Sequence, residues 1–212
     1  MLPLARPLGR FAVPSALAIG SVVPDLWYFL PLATREESHG LAGLFWFCLP
    51  LGALAYLLFH WLLKQPLIAL LSPRLAAFTC AGLPPRPWSA VLASLLAGAA
   101  THIAWDAAAH LEPWVQHAST LAGSAILGVW IARKLARAPA RPPRLSGFAR
   151  LCIVFSLTGV ALAAALGAAD ISLAFDRASL RQLMRSAGLA GFEGLSVALF
   201  VYCLLFQRKI PA

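Results

Sequence analysis

Thr101-His102-Ile103-Ala104-Trp105-Asp106-Ala107-Ala108-Ala109-His110 lies inside an otherwise apolar run, residues 89 to 111. On an α-helix, residues four apart share nearly one face, each a turn above the last. His102, Asp106 and His110 therefore form a polar stripe on a segment long enough to cross a hydrocarbon core of roughly 30 Å. An ionisable group inside a membrane span costs roughly 2.5 to 3.5 kcal/mol on insertion scales, so such a stripe faces a cavity or a partner and marks a candidate functional site.

The rest of the composition agrees with a bilayer. The 212 residues are 60% hydrophobic and only 12% charged, with a mean hydropathy of +0.78. Soluble domains carry about 25% charged residues. The net charge of +9 would point to nucleic acid in a soluble protein. Here the basic residues cluster in short links between apolar runs, which is the positive-inside pattern, and no nucleic-acid partner is expected. Cys48, Cys80, Cys152 and Cys203 are too far apart for a C-x-x-C knuckle or a disulfide framework and read as packing residues.

The expected architecture is an all-α, polytopic membrane helical bundle of about six spans, forming one integral membrane domain over residues 1 to 212. Residues 11 to 32 follow Arg6 and Arg10, as the start of a signal peptide would. Asp25 and the aromatics after it favour a retained span instead, broken by Pro14, Pro24 and Pro31, with Asp25 capping or kinking the break and its carboxylate turned inward. Residues 33 to 40 form a polar link ending in Ser38-His39-Gly40, and residues 41 to 63 are the clearest crossing. Five prolines and three basic residues make residues 64 to 88 a loop with at most a short interfacial helix, flanked by Trp61 and Trp88 as anchors. Further crossings are expected at 89 to 111, 118 to 132, 151 to 169 and 189 to 206. The link holding Arg133, Lys134, Arg137, Arg141, Arg144 and Arg150 has no acidic residue and is placed in the cytoplasm. Residues 170 to 188 suit an amphipathic helix on the membrane surface.

Six crossings bring the ionisable groups to one level. Asp25 is seven residues from Leu32 and Asp106 five from Leu111, depths of roughly 10 and 8 Å, so the two carboxylates face each other with His39, His110 and His117 at the same outer mouth. Geometry also limits the stripe. His102 and His110 are separated by a rise of roughly 12 Å, whereas the ligands of one zinc each lie about 2.1 Å from it. They cannot share one ion on a straight helix, so Asp106 joins either neighbour or bridges two ions, with Asp25 and His39 completing the shell. His60 belongs to the opposite end. His60 and His117 make an additional polar site, whose simplest role is hydrogen bonding to a neighbouring helix.

The chain resembles a bacterial membrane family catalogued as domain of unknown function 4184. The matching pieces are Gly20-Ser21-Val22-Val23-Pro24-Asp25 with Tyr28, Ser38-His39 with Gly43, Pro50 and His60, Thr101-His102 with Trp105-Asp106 and His110, and residues 116 to 123, QHASTLAG. They mark residues 1 to 135 as a family-like core carrying the polar site, with two further spans over 151 to 207. The family implies no established activity. The chain is also distantly similar to membrane-bound metal-dependent hydrolases, and His102-x-x-x-Asp106 is similar to a zinc-ligand pair of zinc-dependent phospholipases C. Relatives tend to have His before the early Pro where this chain has Arg6-Pro7, so a ligand set using that His is weakened here.

The leading expectation is a metal-dependent membrane hydrolase in the bacterial cytoplasmic membrane, with both termini cytoplasmic. Asp25, His39, His102, Asp106 and His110 would hold one or two divalent ions, zinc being the expected metal, to cleave an ester or phosphoester of a lipid-like substrate, with membrane lipid as the surrounding partner. The alternatives are a transport or proton-relay protein, with a polar track joining His102 to His60, and a non-catalytic membrane scaffold. The sequence has no nucleophile elbow, phosphate loop or nucleotide fingerprint.

Overall fold

The structure is a computed structural model describing residues 12–30, 32–80, 87–111, 113–137, 145–174 and 180–207. Its elements are α1 (Pro14–Gly20), a 3-10 helix (Val23–Tyr28), α2 (Arg35–Ser38), α3 (Leu44–Leu70), α4 (Pro73–Cys80), α5 (Trp88–Leu111), α6 (Pro113–Arg137), α7 (Gly147–Ala174) and α8 (Leu180–Gln207). No strand occurs among the described residues, and the protein is all-α.

Four segments are long and apolar enough to cross a membrane: Leu44–Leu70, Trp88–Ala108, Gly147–Asp170 and Gln182–Gln207. They answer to four of the six expected crossings. The remaining two differ for separate reasons. Residues 113–137 form a helix of 25 residues, but Gln116, His117, Ser119, Thr120 and Ser124 dilute its apolar run, and it is not among the four. The first segment is divided at Ser21-Val22 into a seven-residue α-helix and a six-residue 3-10 helix. Pro14 and Pro24 each sit in the first positions of their piece, where a missing N–H is one of the orphan donors anyway. The prolines thus begin two short helices.

Two further expectations are corrected. Lys64–Leu70 continues α3 instead of forming a loop. Pro66 removes a backbone donor from that helix, and α3 widens into π-helical geometry at Phe59–Leu63 just before it, as it does at Leu44–Cys48 before Pro50. The carbonyl of Leu62, four residues before Pro66, accepts a hydrogen bond from Gln207 Nε2 at 3.4 Å, and Tyr202 Oη donates to the Pro66 carbonyl at 3.2 Å. Backbone groups freed by a proline in a span need such partners. The second correction concerns residues 170 to 188. Their described residues belong to the two long helices: α7 runs on to Ala174 and α8 is helical from Leu180. Once a helix is nucleated, each added residue gains a hydrogen bond, and Ile171 to Ala174 contain no breaker.

The described residues divide into two compact units, those of 1–61 with 81–137 and those of 62–80 with 138–212. In the second unit α7 and α8 pack through small residues. A Cβ at Gly194 would lie 2.8 Å from that of Ala164, and one at Gly191 would lie 3.2 Å from that of Ala165. Lipid is as apolar as leucine, so helices in a membrane associate by such close approach. Arg150 Nη1 donates to the Leu71 carbonyl at the end of α3. Cys203 and, in the first unit, Cys48 are buried as packing residues; Cys152 is exposed, and the side chain of Cys80 lies outside the described residues.

The first unit is organised by one face of α5. Ala90, Ser94 and Gly98 recur every four residues and are buried. This small-residue stripe lets α1 lie backbone to backbone on α5. A Cβ on Gly98 would collide with the Leu17 carbonyl, and one on Gly20 with the carbonyl of Leu95. Ser94 Oγ accepts the otherwise orphaned N–H of Val13 at 3.0 Å, just ahead of α1. Val13, Ala16, Ala90, Val91 and Leu95 form the core there, and Val23, Phe47, Cys48 and Ala99 form a second cluster beneath the 3-10 helix.

Candidate metal centre

The period that places Ala90, Ser94 and Gly98 on one face continues to His102 and Asp106. Because α1 ends at Gly20, the chain leaves α5 there and the 3-10 helix carries Asp25 across to the next turn of the stripe. Asp25 does not cap the break: no side chain caps the 3-10 helix. Its Oδ2 lies 3.5 Å from His102 Nε2, and its Oδ1 lies 3.5 Å from His39 Nε2.

His39 arrives from α2, a single turn that local chemistry makes rigid. Thr34 and Glu37 form a capping box, in which Glu37 N donates to Thr34 Oγ1 at 3.3 Å and Thr34 N donates to Glu37 Oε2 at 2.8 Å. Gly43, at the mouth of α3, approaches the Glu37 carbonyl too closely for any Cβ, and Cys48 Sγ contacts the carbonyl of buried Ser38. His39 is the C-cap. Its Nδ1 lies 3.1 Å from the Arg35 carbonyl and 2.9 Å from Ser38 Oγ, whose own proton goes to the Arg35 carbonyl. A carbonyl only accepts, so Nδ1 carries the proton and Nε2 presents its lone pair.

That lone pair meets no donor. The Nε2 atoms of His39 and His102 are both shut off from solvent and neither has a hydrogen-bond partner among the described residues. Instead they face carboxylates. Asp106 Oδ2 lies 3.5 Å from His39 Nε2, and Asp106 Oδ1 lies 4.0 Å from His102 Nε2. Only 10% of the His39 side chain is exposed, against 44% for Asp25. Burial, reinforced by the Arg35 guanidinium, holds the His39 imidazole below its ordinary 6.5 and therefore neutral near pH 7.

Two imidazole nitrogens and two carboxylates pointing into one space suit a cation. One ligand atom each from Asp25, His39 and His102 lie within 4.8 Å of one another. Ligands about 2.1 Å from a tetrahedral zinc stand about 3.4 Å apart, close to the 3.5 Å separations here. The Nδ1–H of His39 bonded to a backbone carbonyl is the outer contact that orients a metal-binding imidazole. The donor set therefore fits a divalent metal.

Of the expected ligands, the structure brings together Asp25, His39, His102 and Asp106. The side chain of His110 lies outside the described residues, as does Arg6. His117 is exposed on α6. His60 is apart from the cluster, with Nε2 3.0 Å from Ser15 Oγ and its ring 4.3 Å from that of Tyr56. The residue that sequence reasoning missed is Arg35, whose Nη2 donates to Asp106 Oδ2 at 2.9 Å. The signal was present: the Thr34-x-x-Glu37 box opens a helical turn that puts Arg35 four residues before His39 on the same face.

Comparison with curated proteins and with solved structures found no match. A family model described as Domain of unknown function (DUF4184) matches residues 1–115, more than half of the chain and the part that contains Asp25, His39, His102, Asp106 and His110. The chain belongs to that family.

Proposed function

We propose that the protein is a metal-dependent hydrolase of the bacterial cytoplasmic membrane, with both termini in the cytoplasm, acting on an ester or phosphoester of a lipid-like substrate. One observation carries this reading: two buried imidazole nitrogens without hydrogen-bond partners converge on two carboxylates at 3.5 Å. Asp25, His39 and His102 hold the metal, zinc being the ion their chemistry suits, and Asp106 completes the set while Arg35 fixes its orientation. A divalent ion there supplies Lewis acidity to an ester or phosphoryl oxygen. In the net reaction water adds across the bond, its hydroxyl joining the acyl or phosphoryl group and its proton leaving with the alcohol. Asp25 is the more exposed carboxylate and so the one able to pass a proton to solvent.

A self-contained site is favoured over a proton track joining His102 to His60 because the buried residues of α1 between Ser15 and Ser21 are Ala16, Leu17 and Gly20, none of which transfers a proton. Metal analysis of the purified protein tests the reading. Bound zinc is expected, reduced in Asp25→Ala, His102→Ala and Asp106→Ala. Absence of metal in the wild type, or equal metal in Asp106→Ala, overturns it.

A further inference from the structure

His39 belongs to two features. Besides facing the carboxylates, it ends an apolar groove of about 240 Å³ lined also by Leu41, Leu44, Ile103, Ala104 and Ala107. One wall is the start of α3, and the other is the face of α5 next to the His102–Asp106 stripe. The volume is below the roughly 300 to 1,000 Å³ of drug-sized pockets, so it suits one alkyl chain and not a pair. Alanines at 104 and 107 keep it open. Leu41, Ala104 and Ala107 are exposed, and Ala104 and Ala107 lie in a segment long and apolar enough to cross a membrane, so a chain reaches the groove sideways from lipid. Beside His39, across the Asp106 carboxylate that both approach, stands a cation. Arg35, four residues earlier, bonds Asp106 and keeps 39% of its side chain exposed. A guanidinium is the planar fork that matches phosphate oxygens, and a neutral carboxylic ester offers it no charge to bind.

We propose that the site takes a single-chain alkyl phosphate, with the chain in the groove between Leu41, Leu44, Ile103, Ala104 and Ala107 and the phosphate against Arg35 beside His39. The inference rests on the hydrolase reading for the fate of the phosphate, and it narrows ester or phosphoester to phosphoester. Arg35 acts in binding and orientation, and Ala104 and Ala107 set the width of the chain.

The test is a binding titration of the full-length protein in a rigid steroid-glycoside detergent, with and without added zinc. The probes are dodecyl phosphate, inorganic phosphate and methyl dodecanoate. Dodecyl phosphate is expected to bind at least tenfold more tightly than either of the others. Arg35→Gln should lose tenfold or more for dodecyl phosphate, and Arg35→Lys, which keeps the charge but not the fork, should lose less. Ala104→Phe and Ala107→Phe, at exposed positions, should lose dodecyl phosphate but bind inorganic phosphate as the wild type does. Equal binding of methyl dodecanoate or inorganic phosphate, unchanged affinity in Arg35→Gln, or unchanged affinity in both groove variants overturns the proposal. A wild type that binds dodecyl phosphate as expected yet holds no zinc overturns the hydrolase reading alone.

Discussion

Gly98→Ala tests whether the contact between α1 and α5 builds the metal centre. Gly98 is one turn from His102 and touches no ligand. An added Cβ would meet backbone on the opposite helix, with Ser21 N at 3.0 Å and Gly20 C at 3.1 Å besides the Leu17 carbonyl. Backbone cannot rotate away as a side chain can. Reaching the 3.4 Å at which ordinary contact begins requires α1 to move by at least about 0.4 Å, twice the roughly 0.2 Å tolerance of metal–ligand distances. Since Asp25 follows α1 by five residues, the shift moves it relative to His102 and His39. Overpacking of this kind costs about 1 to 3 kcal/mol, against which alanine's better helix propensity returns about 1 kcal/mol. The expected result is a net loss of up to about 2 kcal/mol and a drop in zinc affinity of about 10- to 100-fold, the size seen when supporting residues of a metal site are changed. Gly123→Ala on α6 is the control, because a Cβ there meets nothing within 4 Å and should stabilise by up to about 1 kcal/mol. Thermal melting and zinc titration of the two variants side by side give the answer. If Gly98→Ala melts and binds zinc like the wild type, the packing does not position Asp25 and the reasoning fails.

Ser94→Ala should destabilise by about 1 to 3 kcal/mol, read as a lowered melting temperature, because the buried Val13 N–H loses its acceptor; Ser156→Ala, whose exposed hydroxyl bonds only its own helix, should change little. In the metal-free protein His39 has a depressed pKa, so as pH falls through its ordinary 6.5 the unfolded chain takes up a proton before the folded one does. The stability it contributes is complete above pH 6.5 and lost as pH falls toward the folded value; a melting curve series over this range should show a decline that His39→Gln reduces, and an equal decline in both refutes the assignment.

The stripe of His102 and Asp106 was legible in the sequence because the helical period is set by the backbone and needs no partner to be read. The same is true of the all-α class and of the four helices long and apolar enough to cross a membrane, since apolar runs of that length have few other stable states in lipid. The capping box at Thr34–Glu37 was equally local, and reading it would have put Arg35 and His39 on one face. The limit of local reading shows at Pro66. A proline there suggests a break, yet α3 continues because π-helical widening and the Gln207 and Tyr202 side chains absorb what the proline removes, and residues more than 130 positions away leave no mark on the local pattern.

The sequence by itself determined which residues carry charge and on which helical face each lies, because spacing along a helix fixes direction. Only the tertiary structure decided which of those faces meet. Ala90, Ser94 and Gly98 look like filler in a hydropathy profile, but their small size lets α1 close onto α5 until backbones touch, and that contact delivers Asp25 to His102. A short capped turn then adds His39 and Arg35. Distances of 3.5 Å between residues up to 77 positions apart follow from how closely two helices can approach, and that depends on the atoms absent from a glycine as much as on those present in a histidine.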